Sequence, residues 1–154
     1  MSYAHYWEWE YPIVDQELFS RWSADVSLLL QHLPAYGYNG KDPLVIRGFE
    51  GTGEPLCNNI EVSFNGDYTG GQDFGHEGFK ISLDDLKQPN FFNACATAGK
   101  PYDLLVTAAL LRFAYRFNSA LITSDGNINA WKKASSLCEY VFGKEGAAIP
   151  STIH

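Results

Sequence analysis

No run of about 18 apolar residues occurs in this 154-residue sequence, so no membrane-spanning helix is expected. Basic side chains are scarce: 11 Lys and Arg stand against 18 Asp and Glu, a net charge of -7. The largest basic cluster is the pair Lys132 and Lys133. Gripping a phosphate backbone takes many cationic contacts, so direct nucleic-acid binding is not expected. The acidic excess is too dilute for a nucleic-acid mimic and forms no acidic tail. It is also uneven, with a balance of -9 over residues 1–77 and +2 over residues 78–154.

Cysteine is sparse and unpaired. Cys57, Cys95 and Cys138 are odd in number, far apart and free of any Cys-x-x-Cys spacing. They read as reduced, partly buried apolar residues, with Cys95 and Cys138 in apolar helical surroundings, and not as catalytic thiols. His5, His76, Asp67 and Glu77 are metal-ligand types but lack ligand spacing, so no metal site is assigned. Dinucleotide, Gly-x-Ser-x-Gly and kinase signatures are missing. Gly51-Thr52-Gly53-Glu54-Pro55 lacks the lysine and hydroxyl of a phosphate loop and reads as a turn. Glu8 and Glu10 replace the basic start of a secretory leader, so an intracellular protein is expected. Without repeats, low-complexity tracts or linkers, residues 1–143 read as one domain and residues 144–154 as a mobile tail.

Aromatic residues are abundant, at 15% with four Trp, nine Tyr and ten Phe, so rings must build much of the core or a pocket. Tyr3, His5, Trp7 and Trp9 alternate with Ala4, Tyr6, Glu8 and Glu10, which predicts a strand with one aromatic face. From Asp15, a good N-cap, the apolar residues recur at helical spacing up to Pro34. Further strands are predicted over Leu44 to Phe49, Asn59 to Asn65, Phe79 to Leu83 and Ala120 to Thr123. Pro101 opens a nearly all-apolar helix through Phe117 that should be the most buried element. A last helix, with Ile128, Trp131, Leu137, Val141 and Phe142 inward, ends at Gly143. The fold class is therefore α+β, a small mainly antiparallel sheet covered by about three helices.

Candidate functional residues gather where glycines loosen the backbone. The stretch Asn65 to Phe79 holds five glycines with Asn65, Asp67, His76 and Glu77, the composition of a working loop. Adjacent His76 and Glu77 could share acid and base work, although neighbours in a strand point to opposite faces. His5 and Tyr6 bring an imidazole and a phenol to the aromatic strand. Lys100, Tyr102 and Asp103 flank the helix start at Pro101, where a lysine beside a helix N-terminus suits an anion. Asp125, in Ser124-Asp125-Gly126, stands where a strand end meets a helix start. Either it or Asn127 could instead cap the last helix.

The opening Tyr3-Ala4-His5-Tyr6-Trp7, followed in order by Gly51 to Pro55, Phe64-Asn65-Gly66-Asp67, Gly75-His76-Glu77, Lys100-Pro101-Tyr102-Asp103 and Ser124-Asp125-Gly126, resembles a family of small phage, prophage and bacterial proteins that open Met-Gly-Tyr-Thr-His-Tyr-Trp. Ser2 and Ala4 replace the usual Gly and Thr. The resemblance implies a phage context, a host-cytoplasmic location and a shared polar set, and names no reaction.

Three functional expectations follow. The first is a phage-type accessory protein that binds a small polar, nucleotide-derived ligand and sequesters a host signal as an anti-defence device. Its site would be drawn from His5, Tyr6, Asn65, Asp67, His76, Glu77, Lys100, Tyr102, Asp103 and Asp125, with Lys100 on the anionic part and His5 and Tyr6 around the ring. The second is a small hydrolase with His76 or His5 as general base, oriented by Glu77 or Asp103. The third is an acidic interaction module that docks on a basic host protein. The aromatic excess also suits a homo-oligomer interface.

Overall fold

A computed structural model describes residues 3–13 and 15–154; Met1, Ser2 and Val14 lie outside the described residues, and with Ser2 one of the two departures from the family opening. The chain folds as an α+β domain of three helices and two three-stranded antiparallel sheets, where the sequence suggested one sheet. Strand β1 (Ala4–Trp9) is the centre of the first sheet, between β5 (Asn90–Ala96) and β6 (Ala120–Ser124). Its alternation behaves as read: His5, Trp7 and Trp9 are buried on the helix side, and Tyr6 and Glu8 face outward, partly exposed. The register sets His5 opposite Cys95 on one side and Ser124 on the other. Strands β2 (Leu56–Cys57), β3 (Glu61–Phe64) and β4 (Phe79–Ser82) form the second sheet, with Val62 paired to Ile81 and Phe64 to Phe79.

Helix α1 (Gln16–Gln31) starts where Asp15 Oδ1 accepts the Leu18 amide proton at 3.1 Å, a cap contributing about 1 kcal/mol. Phe19, Trp22, Val26 and Leu29 form its buried stripe. Helix α2 (Asp103–Arg116) is buried from Asp103 through Phe113, as its apolar sequence required. Helix α3 (Ile128–Phe142) is capped by Asn127, whose Oδ1 accepts the Ala130 amide proton at 3.1 Å, and stops at Gly143, with φ of 84°. Trp131, Ala134 and Cys138 face inward, and Ile128, read as inward, is exposed.

The aromatic excess fills the space between the layers. Trp7 and Phe79 have ring centroids 5.1 Å apart, Phe64 and Phe79 5.0 Å, and Trp22 and Phe113 5.1 Å. Two buried indoles are satisfied by carbonyls: Trp22 Nε1 donates to Ala109 O at 2.9 Å and Trp9 Nε1 to Gln88 O at 2.7 Å. One ion cluster ties α1 to α2, where buried Asp25 accepts from Arg112 Nε at 3.1 Å and from Arg116 at 2.9 and 3.0 Å.

Three local readings are corrected. Residues 44–49 make only the isolated bridge of Arg47 with Asn65 and no regular strand. Cys95 belongs to β5, a strand the periodicity did not reveal, and not to a helix. Residues 144–154, read as mobile, are anchored: Ala147 and Ile153 are buried, Thr152 Oγ1 donates to Ile122 O, and Ser135 Oγ donates to Ala147 O. The tail thereby covers an edge of β6.

Candidate functional site

The sequence-derived residues separate into three places. The first gathers around Asn65 and serves the long loop between β3 and β4. Asn65 Nδ2 donates to Phe49 O and His76 O, and its Oδ1 accepts from the Gly66 and His76 amides, so one side chain holds three backbone segments. Asp67 accepts from Arg47 Nε and from both the amide and hydroxyl of Thr69. The Thr69 hydroxyl bond, more than the guanidinium, holds its carboxyl below the usual range. His76 Nδ1 donates to Ala96 O at 2.8 Å, while Glu77 Oε1 accepts the Ala96 amide proton at 2.8 Å. The neighbours His76 and Glu77 therefore serve the edge of β5 separately instead of orienting each other. Tyr102 is buried, with its hydroxyl on Glu77 O, and Lys100 Nζ reaches Asp73 O at 2.9 Å.

The second place lies on the outer face of the first sheet. Asp125 Oδ2 accepts the Ala4 amide proton at 3.0 Å, and the Tyr6 hydroxyl lies 3.3 Å from the same oxygen. Asp125 thus closes the end of β1, and α3 takes Asn127 as its cap instead.

The third place joins His5 to Asp103 beneath a pocket. His5 is fully buried; its Nε2 lies 2.6 Å from Asp103 Oδ1 and its Nδ1 2.7 Å from Ser124 Oγ. Donor counting assigns the tautomer. Ser124 Oγ already accepts from the Gly126 amide at 2.8 Å and from Trp131 Nε1 at 3.1 Å, so its own proton goes to His5 Nδ1. Nε2 then carries the proton donated to Asp103. Asp103 is the hub: Oδ1 also accepts from Thr97 Oγ1, and Oδ2 accepts from the Tyr38 hydroxyl at 2.8 Å. Although it is the first residue of α2, it makes no cap, because Tyr102 occupies the cap position without a side-chain bond.

Above Asp103 opens a pocket of about 500 Å³, within the range of small-ligand sites. Tyr3 and Tyr38 supply its rings, Lys133 a cation, and Asn129 and Ala130 the first turn of α3. Tyr3 shares strand parity with His5, and its ring meets the imidazole edge-on at 5.1 Å. Gly126 packs close beside it, and a Cβ there would displace the Tyr3 hydroxyl. Lys133 Nζ stands 5.5 Å from the Tyr38 ring centroid. The last wall is a tight turn, Thr97 to Lys100, in which Ala98 adopts φ of 53° and Gly99 68°. A left-handed alanine costs about 1–2 kcal/mol and is kept where the surroundings impose it.

The pocket keeps its phenols protonated at neutral pH. Burial, reinforced by Asp103 and Asp125, pushes Tyr3 up to about 12. Tyr38 retains 36% exposure as a residue, yet burial around its hydroxyl and the adjacent Asp103 charge raise it strongly. Of the sequence-derived residues, only His5 and Asp103 meet here. Tyr3, Tyr38, Thr97, Ser124 and Lys133 were not among the expected site residues; Tyr3 carried a signal in its parity with His5, and Ser124 in its place in Ser124-Asp125-Gly126. Among the described residues, no three His, Cys, Asp or Glu side chains converge as a metal-ligand set, and no helix is long and apolar enough to cross a membrane. No protein-family model, curated protein or solved structure matches this chain, so its functional reading rests on this geometry.

Proposed function

We propose that the chain is a phage-type binding protein for a small, polar, ring-bearing ligand with an anionic group, received in the pocket beside Tyr3 and Tyr38. The carrying observation is that one cavity of about 500 Å³ combines two phenol rings, the Lys133 ammonium and the buried Asp103 hub. Rings favour a planar ligand. Lys133 and the first turn of α3 favour a negative group, since a helix start carries partial positive charge. A nucleotide-derived molecule has both features, and its capture without turnover would remove a host signal. Lys133 takes the part expected of Lys100, which is occupied by Asp73. The test is calorimetric titration with a panel of nucleoside phosphates and their unphosphorylated nucleosides. Lys133→Ala should weaken phosphate-bearing ligands about tenfold and leave nucleosides unchanged, an effect of the size expected for one charge-assisted contact. Equal binding by wild type and Lys133→Ala, or none by either, would remove the model.

One observation favours a second reading. Ser124, His5 and Asp103 form a hydroxyl, imidazole and carboxylate chain, the order of a hydrolase triad. Both lone pairs of Ser124 Oγ are engaged by Trp131 and Gly126, and His5 has no exposed surface. Attack on a substrate would require that network to open, so binding is the better-supported function. Return of the bound ligand intact after prolonged incubation supports binding, whereas its cleavage, lost in Ser124→Ala, supports hydrolysis.

A further inference from the structure

The pocket occupies the helix side of β1, and the opposite face of the same sheet is open. There the register departs from regularity: Trp7 pairs with Asn93 but Trp9 pairs with Asn90, so Glu8 alone stands opposite Phe91 and Phe92. This is a β-bulge, a two-against-one step that redirects side chains. Two consecutive phenylalanines in a regular strand would point to opposite faces; here Phe91 is 62% and Phe92 82% exposed. Leu121, paired with Glu8 across β6, is 42% exposed. Tyr6 and Thr123 continue the face around a depression of about 210 Å³. A contiguous apolar surface of this kind on a folded chain marks an interaction site.

Its charge selects the occupant. Glu8 lies within the depression, Glu10 borders a second one beside Phe91, and Asp125 closes the end near Tyr6. None of the three makes an ion pair among the described residues, and no Lys or Arg lines either depression. Phenyl and phenol faces attract ammonium and guanidinium groups. A second copy of the chain brought face to face would set Glu8 and Glu10 against the same carboxylates, the arrangement by which sheet proteins keep themselves apart.

We propose that the outer face of the β5-β1-β6 sheet docks a Lys- or Arg-rich segment of a partner protein, whose cations lie over Phe92 and Tyr6 and pair with Glu8, Glu10 and Asp125. The face lies on the other side of the sheet from the ligand pocket. The probe is a fluorescein-labelled peptide alternating Lys and Val, compared with its Glu and Val counterpart, read by anisotropy at low and high salt. Wild type should bind the Lys peptide, and that binding should weaken about tenfold or more between low and high salt. The double variant Glu8→Lys, Glu10→Lys should lose about tenfold at low salt. Phe92→Ser, at a position too exposed to unfold the chain, should lose a comparable factor with an unchanged melting temperature. Lys133→Ala should bind the peptide as wild type does. Absence of binding, binding indifferent to the Glu8, Glu10 and Phe92 changes, or equal binding of the Glu peptide overturns the proposal. So does self-association in sedimentation that Phe92→Ser abolishes, which would assign the face to a second copy.

Discussion

Replacing Asn65 by Asp alters one atom of its side chain and should cost as much as emptying a core position. The native amide donates to Phe49 O at 3.0 Å and to His76 O at 2.9 Å, and it accepts from the Gly66 amide at 2.7 Å and the His76 amide at 3.1 Å. A carboxylate keeps the two acceptor bonds, loses both donor bonds, and sets negative oxygen against two carbonyl oxygens at hydrogen-bond range. Each lost bond leaves a buried partner unsatisfied at about 1–2 kcal/mol, so the total is about 2–4 kcal/mol at pH 7. For a chain of this size that lowers the melting temperature by about 10 °C. The sign with pH is fixed: a carboxyl forced against carbonyls has its folded pKa raised. Its protonated form restores one donor, and the deficit relative to wild type should shrink as pH falls from 7 toward about 4. Urea unfolding followed by the fluorescence of the buried tryptophans measures both. A loss under about 1 kcal/mol at pH 7, or a deficit that widens on acidification, would refute the role given to Asn65 as the tie of the loop.

Two further outcomes are expected. Asp25→Ala leaves the buried Arg112 without its carboxylate, and denaturation should show a loss of about 3–5 kcal/mol, with Asp25→Asn intermediate. Asp67, held below the ordinary carboxylate range by Thr69 and Arg47, contributes stability that is complete above its unfolded value near 3.9 and lost as pH falls through its lower folded value. Below about pH 4 the wild type should therefore lose stability more steeply than Asp67→Asn, and parallel slopes would contradict the assignment.

What was legible in the sequence was local. The aromatic parity of β1, the Asp15 cap, the apolar run of α2 and the stop at Gly143 each depend on residues within a turn or two of one another, and each is where the spacing placed it. Strand β5 was hidden because its period is broken by the bulge at Phe91 and Phe92 and its only named partner, β1, lies far back in the chain. The site was legible as residues but not as an assembly. His5 and Asp103 could be singled out, yet they are separated by 98 positions, and nothing local says that Asp103 forgoes its helix start for an imidazole. Lys100 and Lys133 carry the same charge beside a helix start. Only the fold shows that the first is tied to Asp73 and the second borders the pocket.

The central position of β1 has a consequence for biosynthesis. Its two neighbours, β5 and β6, begin at Asn90 and Ala120, so on a ribosome adding roughly 5–20 residues per second the strand waits on the order of ten seconds for β6. Until β5 has been made, Trp7 and Trp9, each all but fully buried in the finished protein, have no strand to pair beside, and until β6 follows their sheet has only one of its two flanks. The aromatic strand β1 is a ready handle for a chaperone on the nascent chain, and its sheet closes only once β6 has been made.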